Sequence, residues 1–255
     1  AAAAMLENDV GTAERLLKGH LTQVPTDVPA IRMLAEVAMR LGRLEDAGRL
    51  LERCIELAPS FRAARYNYAV LLGRRNDAAA ARREIEHLLQ LEPRSPSYRN
   101  LYAVILSRVG EYERSSRIYA ELLAEYPKHS KVWLSYGHVL KTEGRTAECI
   151  TAYRRSIAYE PSLGEAYWSL ANLKTFRFDE TDLAAMHAQL ARTDIDQDSR
   201  LQLHFALGKA YEDRADYARS FEHYSQGNDL HRQAHRYDAE GNSRRVRRLK
   251  GIFTR

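Results

Sequence analysis

The side chains of this sequence that could do chemistry are cations, amides and aromatic rings, a set that suits binding more than catalysis. Cations can pair with carboxylates, Asn amides can hydrogen-bond an extended peptide backbone, and aromatic rings can contact apolar side chains. The residues are Arg32, Arg40, Tyr66, Asn67, Arg74, Asn100, Arg108, Lys131, His138, Lys141, Trp168 and Asn172. They predict a groove for an acidic peptide or a C-terminal carboxylate. The alternative is a solvated surface whose arginines pair with Glu or Asp of neighbouring elements.

Motifs of catalysis are missing from the sequence. No G-x-x-x-x-G-K-[ST], H-E-x-x-H, C-x-x-C or G-x-S-x-G pattern occurs, and the Gly208-Lys209 pair lacks the upstream glycine of a phosphate loop. The nine histidines show no ligand spacing, so no metal is expected. Cys54 and Cys149 fall on positions predicted to be buried, which favours packing over reactivity. We therefore expect these 255 residues to contain no catalytic and no cofactor-binding residue.

A repeat of 34 residues must position the binding side chains. Its markers are the prolines Pro25, Pro59, Pro93, Pro127 and Pro161. With each proline at position 32, position 8 is small: Ala35, Ala69, Ala103, Gly137 and Ala171. Position 20 is also small: Ala47, Ala81, Ser115 and Cys149. Short side chains let two antiparallel helices approach closely, and proline ends the second helix. This period and pattern are typical of the tetratricopeptide repeat (TPR), a helix–turn–helix unit.

The repeat predicts the architecture. We expect an all-α TPR solenoid, a right-handed superhelix of antiparallel helix pairs with a C-terminal capping helix. The array covers residues 1–237, and residues 238–255 form the capping helix and the start of a linker. A partial repeat is followed by four regular repeats, an altered repeat and one more, with bounds 1–27, 28–61, 62–95, 96–129, 130–163, 164–200 and 201–237. All twelve binding residues occupy positions 2, 5, 6, 9, 12 or 13 of a first helix, which we call the groove positions.

Composition indicates which classes of binding partner and which cellular compartment to expect. A net charge of +5 is too mild to favour nucleic acid, because most cations alternate with Glu and Asp. The run from Arg244 to Lys250 is the exception, and it keeps a nucleic-acid-associated scaffold open as a disfavoured alternative. No apolar run is long enough for a membrane span and no signal peptide is visible, so no membrane partner is expected. Two cysteines cannot build a disulfide framework, which favours the cytoplasm. Self-association stays open, because array ends expose apolar faces.

Several segments resemble the N-terminal arrays of bacterial TPR-containing sulfotransferases. They lie at residues 131–145, 164–178, 203–213 and 223–228, within a resemblance that runs from about Pro59 to Phe253. The stretch from Ser169 to Phe178 is the most specific, because the repeat does not demand Lys174, Thr175 or Phe176.

The resemblance implies a function for the parent polypeptide. In that family a catalytic domain follows the array and uses 3′-phosphoadenosine 5′-phosphosulfate (PAPS), which is held by a P-x-R-S-G-[ST] loop. The sequence lacks that loop, so no catalytic or PAPS-binding residue can be assigned in it. The resemblance implies the substrate-recognition or assembly half of a PAPS-dependent sulfotransferase. A free-standing TPR adaptor that joins proteins, with no enzyme attached, is the alternative.

Overall fold

The computed structural model describes residues 1–234 and 238–253, and within these ranges it contains fifteen helices and no strand. The all-α prediction is confirmed. The helices of the first four hairpins are α1 Ala2–Leu6, α2 Val10–Gln23, α3 Val28–Arg40, α4 Leu44–Leu57, α5 Arg62–Arg74, α6 Ala78–Leu91, α7 Pro96–Arg108 and α8 Tyr112–Glu125. The others are α9 Ser130–Thr142, α10 Thr146–Tyr159, α11 Gly164–Ala171, α12 Glu180–Leu190, α13 Gln197–Glu212, α14 Tyr217–Ala234 and α15 Ala239–Phe253.

The helix boundaries follow the 34-residue frame. The first helices α3, α5, α7, α9 and α11 each begin at position 1 of a repeat, and the second helices α4, α6, α8 and α10 each end two residues before a marker proline. Proline has no backbone N–H and disfavours a helical conformation in the preceding residue, so the second helix cannot continue.

The two helices of a hairpin are locked at the small positions. Ala103 of α7 and Ser115 of α8 are both fully buried, and the Ser115 hydroxyl donates to the Ala103 carbonyl at 2.8 Å. Ser220 makes the same 2.8 Å bond to the Gly208 carbonyl in the hairpin of α13 and α14. The expectation that Ala103 and Ser115 face each other's helices is therefore confirmed.

The turn inside six of the hairpins, all except that of α11 and α12, uses one residue in the left-handed region. Gly42, Gly110 and Gly144 at position 15 have φ of +72°, +84° and +77°. The equivalent residues Asn8, Asn76 and Ala215 also have positive φ, at 59°, 63° and 59°. The backbone conformation thus belongs to the position and not to glycine, and Ala215 adopts it against its intrinsic preference.

The chain forms two compact units. The first consists of Ala1–Lys128 with His138–Thr146, and the second of His129–Gly137 with Ala147–Arg255, so that α9 contributes to both. The sequence frame alone predicts one uninterrupted array. None of the helices described is both long and apolar enough to cross a membrane.

The second unit departs from the regular frame. Helix α11 has 8 residues where α3, α5, α7 and α9 have 13, and residues 172–179 connect it to α12. The second helix of the altered repeat is α12, whose start is fixed by a capping box between Asp179 and Asp182. The repeat predicted to start at Leu201 begins four residues earlier, because the Asp196 carboxylate caps α13 by accepting from the Ser199 N–H. Tyr237 and the last two residues of the predicted linker lie outside the described residues.

Three histidines and Tyr211 form a cluster at the last hairpin of the second unit. His204 of α13 and His223 of α14 are buried with their Nδ1 atoms 3.1 Å apart. His187 of α12 is exposed and its Nε2 lies 2.9 Å from the Tyr211 hydroxyl, while the Tyr211 ring stacks on His223 at 5.6 Å. Burial, then the neighbouring His223, lowers the pKa of His204 to about 4. Arg200, Arg219 and Glu222 are the other charged groups that act on this cluster.

The lowered pKa of His204 predicts acid sensitivity. Between the ordinary histidine pKa of 6.5 and the folded value of about 4, the unfolded chain binds a proton that the folded chain does not. The free energy of unfolding should therefore be highest above this window and fall as the pH drops through it. His204→Asn, which stays neutral, should remove about 3 kcal/mol of that loss in urea denaturation followed against pH. His87→Asn, which changes an exposed histidine of α6, is the matched control and should keep the loss of stability that His204→Asn removes. Equal pH dependence of wild type and His204→Asn would contradict the assignment.

Gly→Ala should have opposite effects on stability at a left-handed turn position and inside a helix. A Cβ at Gly110 meets no atom within 4 Å, so the cost of Gly110→Ala is that of its positive φ alone. We expect the free energy of unfolding in urea to fall by about 1 kcal/mol. Gly19→Ala, in the middle of α2 with equally open space, should raise it by about 0.5 to 1 kcal/mol. A Gly110→Ala protein as stable as the wild type would show that the turn does not depend on this conformation.

Candidate functional site

The groove residues of the first unit lie on neighbouring first helices. Arg32 and Arg40 are on α3, Tyr66, Asn67 and Arg74 on α5, Asn100 and Arg108 on α7, and His138 and Lys141 on α9. Helices α5 and α7 pack together, and the ring of Tyr66 lies 5.8 Å from the ring of Tyr98. The structure therefore brings the α5 and α7 residues into one patch.

Three of the predicted groove cations are used to cap helices. Arg40 donates to the Met5 carbonyl at 3.0 Å, Arg74 to the Met39 carbonyl at 3.3 Å, and Arg108 to the Gly73 carbonyl. Each arginine is at position 13 and each acceptor is at position 12 of the preceding repeat. The last carbonyls of a helix have no partner within it and carry partial negative charge, which a guanidinium satisfies. We call this series the arginine ladder.

Ion pairs within α3 also reduce the positive charge at the groove positions. Glu36 accepts from Arg40 at 3.0 Å and from Arg32 at 3.5 Å, one helical turn to either side. Arg32, Arg40, Arg74 and Arg108 are thus all engaged within the protein. On α9, Lys141 is exposed and has no ion pair among the described residues, and His138 is exposed on the same helix.

Polar groups without partners mark the patch on α5 and α7. Asn67 and Asn100 are half-buried, and neither amide has a hydrogen bond to any described residue. The Tyr66 hydroxyl, also half-buried, has none either, and burial raises the pKa of Tyr66, so it stays a neutral donor and acceptor. A half-buried polar group with no partner loses part of its hydration without compensation. Tyr66, Asn67, Tyr98 and Asn100 form what we call the amide patch.

The groove residues of the second unit have a different chemistry. Trp168 of α11 lies with its ring 5.4 Å from Phe205 of α13, and Phe205 lies 6.2 Å from Tyr224. Asn172 ends α11, where its amide donates to the Trp168 carbonyl at 3.0 Å. Lys131 is exposed at the start of α9.

Two residues of these patches, Tyr98 and Phe205, were not predicted from the sequence. Tyr98 is at position 3 of its repeat, which the frame does not count as a groove position, so no sequence signal marks it. Phe205 is at position 5 of the last repeat, equivalent to Trp168, and extending the groove positions to that repeat would have found it.

The stretch that carries the sulfotransferase resemblance has a structural use. Phe176 and Phe178 meet edge to face at 5.0 Å in the connection between α11 and α12. The Arg154 guanidinium lies 5.1 Å from the Phe176 ring centre and forms a bidentate pair with the buried Asp182, one bond of which is 2.8 Å. This arrangement fastens α10 to the start of α12 inside the second unit.

Two clefts among the described residues lie apart from the groove residues, and both cysteines are buried. One cleft of about 300 Å³ lies between α2, α3 and α4 and is lined by paired residues such as Glu14 and Arg43, with no groove residue. In a second cleft, the buried Ser116 hydroxyl donates to Glu143 at 2.8 Å. Among the residues described, no three His, Cys, Asp or Glu side chains are placed to hold a metal. Burial raises the pKa of Cys54 to about 11, so its thiol is not a nucleophile near neutral pH.

Comparison with known proteins supports the fold. A family model described as tetratricopeptide repeat matches residues 42–105, and a second one of the same description matches residues 130–163. Curated protein sequences give no match. The crystal structure of MamA is 18% identical over 62% of this chain and 93% of its own, with a TM-score of 0.52. The human IFIT1 dimer with m7Gppp-AAAA is 14% identical over 87% of this chain and 55% of its own, with a TM-score of 0.65.

Identities this low show the fold alone. The helix boundaries, the buried small positions and the matched segments nonetheless agree on the same 34-residue unit. The chain is therefore a TPR-type all-helical protein with tetratricopeptide repeats in residues 42–105 and 130–163.

Proposed function

We propose that the first unit is a scaffold that binds an extended polypeptide segment at the amide patch. The observation that carries the proposal is the pair of half-buried Asn67 and Asn100 amides with no partner among the described residues. An extended peptide presents alternating N–H and C=O groups, and an Asn amide can both donate to and accept from them. The rings of Tyr66 and Tyr98 offer an apolar contact beside these amides.

The sequence also predicts that the ligand is acidic or ends in a carboxylate. Support for this part comes from the exposed Lys141 and not from the arginines, because Arg32, Arg40, Arg74 and Arg108 already have partners. We therefore assign recognition to the amides and the rings, with charge as a secondary contribution.

We further propose that the chain is the recognition half of a PAPS-dependent sulfotransferase. The alternative is a free-standing adaptor. What supports the sulfotransferase is the resemblance around Ser169–Phe178, and in this fold Phe176 and Phe178 also serve packing. Sulfate transfer from PAPS by the complete polypeptide decides between the two. The cytoplasmic location stays a prediction.

Removing the two amides should weaken peptide binding without unfolding the protein. Peptides about ten residues long, selected from a random library on the wild-type chain, are the probes. We expect the double variant N67A/N100A to bind them at least about tenfold more weakly by calorimetry, because each lost hydrogen bond costs about 0.5 to 1.5 kcal/mol. N228A, which removes an exposed amide on α14, is the matched control and should bind as the wild type does. Unchanged affinity of N67A/N100A would overturn the proposed site.

The engaged arginines predict a small effect of ligand charge. A selected peptide with Asp and Glu should bind no more than about fivefold tighter than its Asn and Gln analogue at low salt, and the difference should vanish near physiological ionic strength. K141Q should abolish that small preference. A difference of 100-fold or more would show instead that the ladder arginines turn to the ligand, as the sequence alone suggests.

A further inference from the structure

Most of the net charge of the chain is concentrated on its last helix. Helix α15 carries one acidic residue, Glu240, and the cations Arg244, Arg245, Arg247, Arg248 and Lys250. Its net charge is therefore +4, whereas that of the whole chain is +5. The rest of the protein is close to neutral, so α15 is the main concentration of unbalanced positive charge.

The same helix exposes an apolar stripe. Val246, Leu249 and Ile252 recur every three residues and are 42%, 46% and 61% exposed. Residues three apart lie on one side of a helix, so these side chains form a single row, which we call the α15 stripe. Every residue from 242 to 252 is exposed, so no part of the described chain covers the stripe.

The cations of α15 are also less engaged than those of the repeats. Arg244 lies 3.6 Å from Glu240 and 3.8 Å from Asp238. Arg245 and Arg248 have no carboxylate partner in the described ranges. Helical geometry at 100° per residue places Lys250 on one flank of the stripe and Arg248 on the other. Arg245 projects between Leu249 and Ile252, and Arg244 and Arg247 lie on the opposite side.

We propose that α15 binds peripherally to an anionic lipid bilayer, with the α15 stripe at the acyl boundary and its cations among the headgroup phosphates. A bilayer interface satisfies both chemistries of the helix at once. A nucleic acid would neutralise the cations but leave the apolar row in water. A groove in an acidic protein would cover the stripe. It would also have to supply carboxylates on both flanks of the stripe and on the opposite side of the helix. The expectation of no membrane partner rested on the lack of a spanning segment, and this surface contact revises it.

Vesicle co-sedimentation of the whole chain tests the proposal. The probes are phosphatidylcholine vesicles with and without about 30 mol% phosphatidylserine. We expect binding only to the anionic vesicles, with the affinity falling as the salt rises. R245Q/R248Q/K250Q, which removes the cations within and beside the stripe, should weaken it by roughly 100-fold, since each cation near the surface contributes about a factor of 5. L249S/I252S, which keeps every charge, should weaken it by about tenfold or more.

A matched control separates local recognition from loss of net charge. R15Q/R83Q/R155Q removes three exposed arginines of α2, α6 and α10 and should bind anionic vesicles as the wild type does. Equal weakening in this control would overturn the assignment to α15. No binding of the wild type to anionic vesicles, or an undiminished affinity of L249S/I252S, would overturn the membrane proposal. Tighter binding to duplex DNA or to polyglutamate than to the vesicles at the same salt would overturn it in favour of a nucleic acid or an acidic protein.

Discussion

The close approach of two helices at positions 8 and 20 is the contact on which the rest of this structure depends. At Ala103 and Ser115 the backbones come near enough for a hydroxyl to reach the facing carbonyl at 2.8 Å. Neither residue has room for a larger side chain, because both are fully buried. Large neighbours then fill the remaining space, as Tyr153 does against Gly137, where a methyl group would overlap the ring. Hairpins held in this way present their first helices side by side, which is the condition for any binding surface on them.

The requirement to satisfy helix ends explains why the groove is less charged than its composition suggests. Each first helix ends with carbonyl groups that need donors, and the arginine of the next repeat supplies one. The ladder stops after Arg108, because Thr142 is at position 13 of the following repeat. An arginine that caps the preceding repeat contributes less to ligand binding. Its N–H groups already donate to protein carbonyls, whose partial negative charge offsets part of its positive charge. Recognition is left to neutral groups, the amides of Asn67 and Asn100 and the rings beside them.

The second unit shows how the repeat adapts when its frame is altered. A shortened α11 and a longer connection bring Phe176 to Arg154, and the pair of Arg154 with Asp182 holds the start of α12. Buried histidines occupy positions 4 and 23 of the last hairpin, where the second full repeat has the ion pair of Arg65 and Glu84. These exchanges keep the hairpin packed but make its stability depend on charge and on pH.

The 34-residue period, the helix boundaries of the regular repeats and the faces that pack all follow from the sequence, because a helix pair can close only where short side chains recur at fixed intervals. The sequence also predicts Tyr66, Asn67 and Asn100 as groove residues. The folded chain was needed to show that Arg40, Arg74 and Arg108 cap carbonyls about 35 residues earlier in the chain, that Tyr98 joins the patch, and that α13 begins at Gln197. The reason is that spacing records which positions must be small or apolar, whereas the partner of a long polar side chain depends on which groups from distant segments come within its reach.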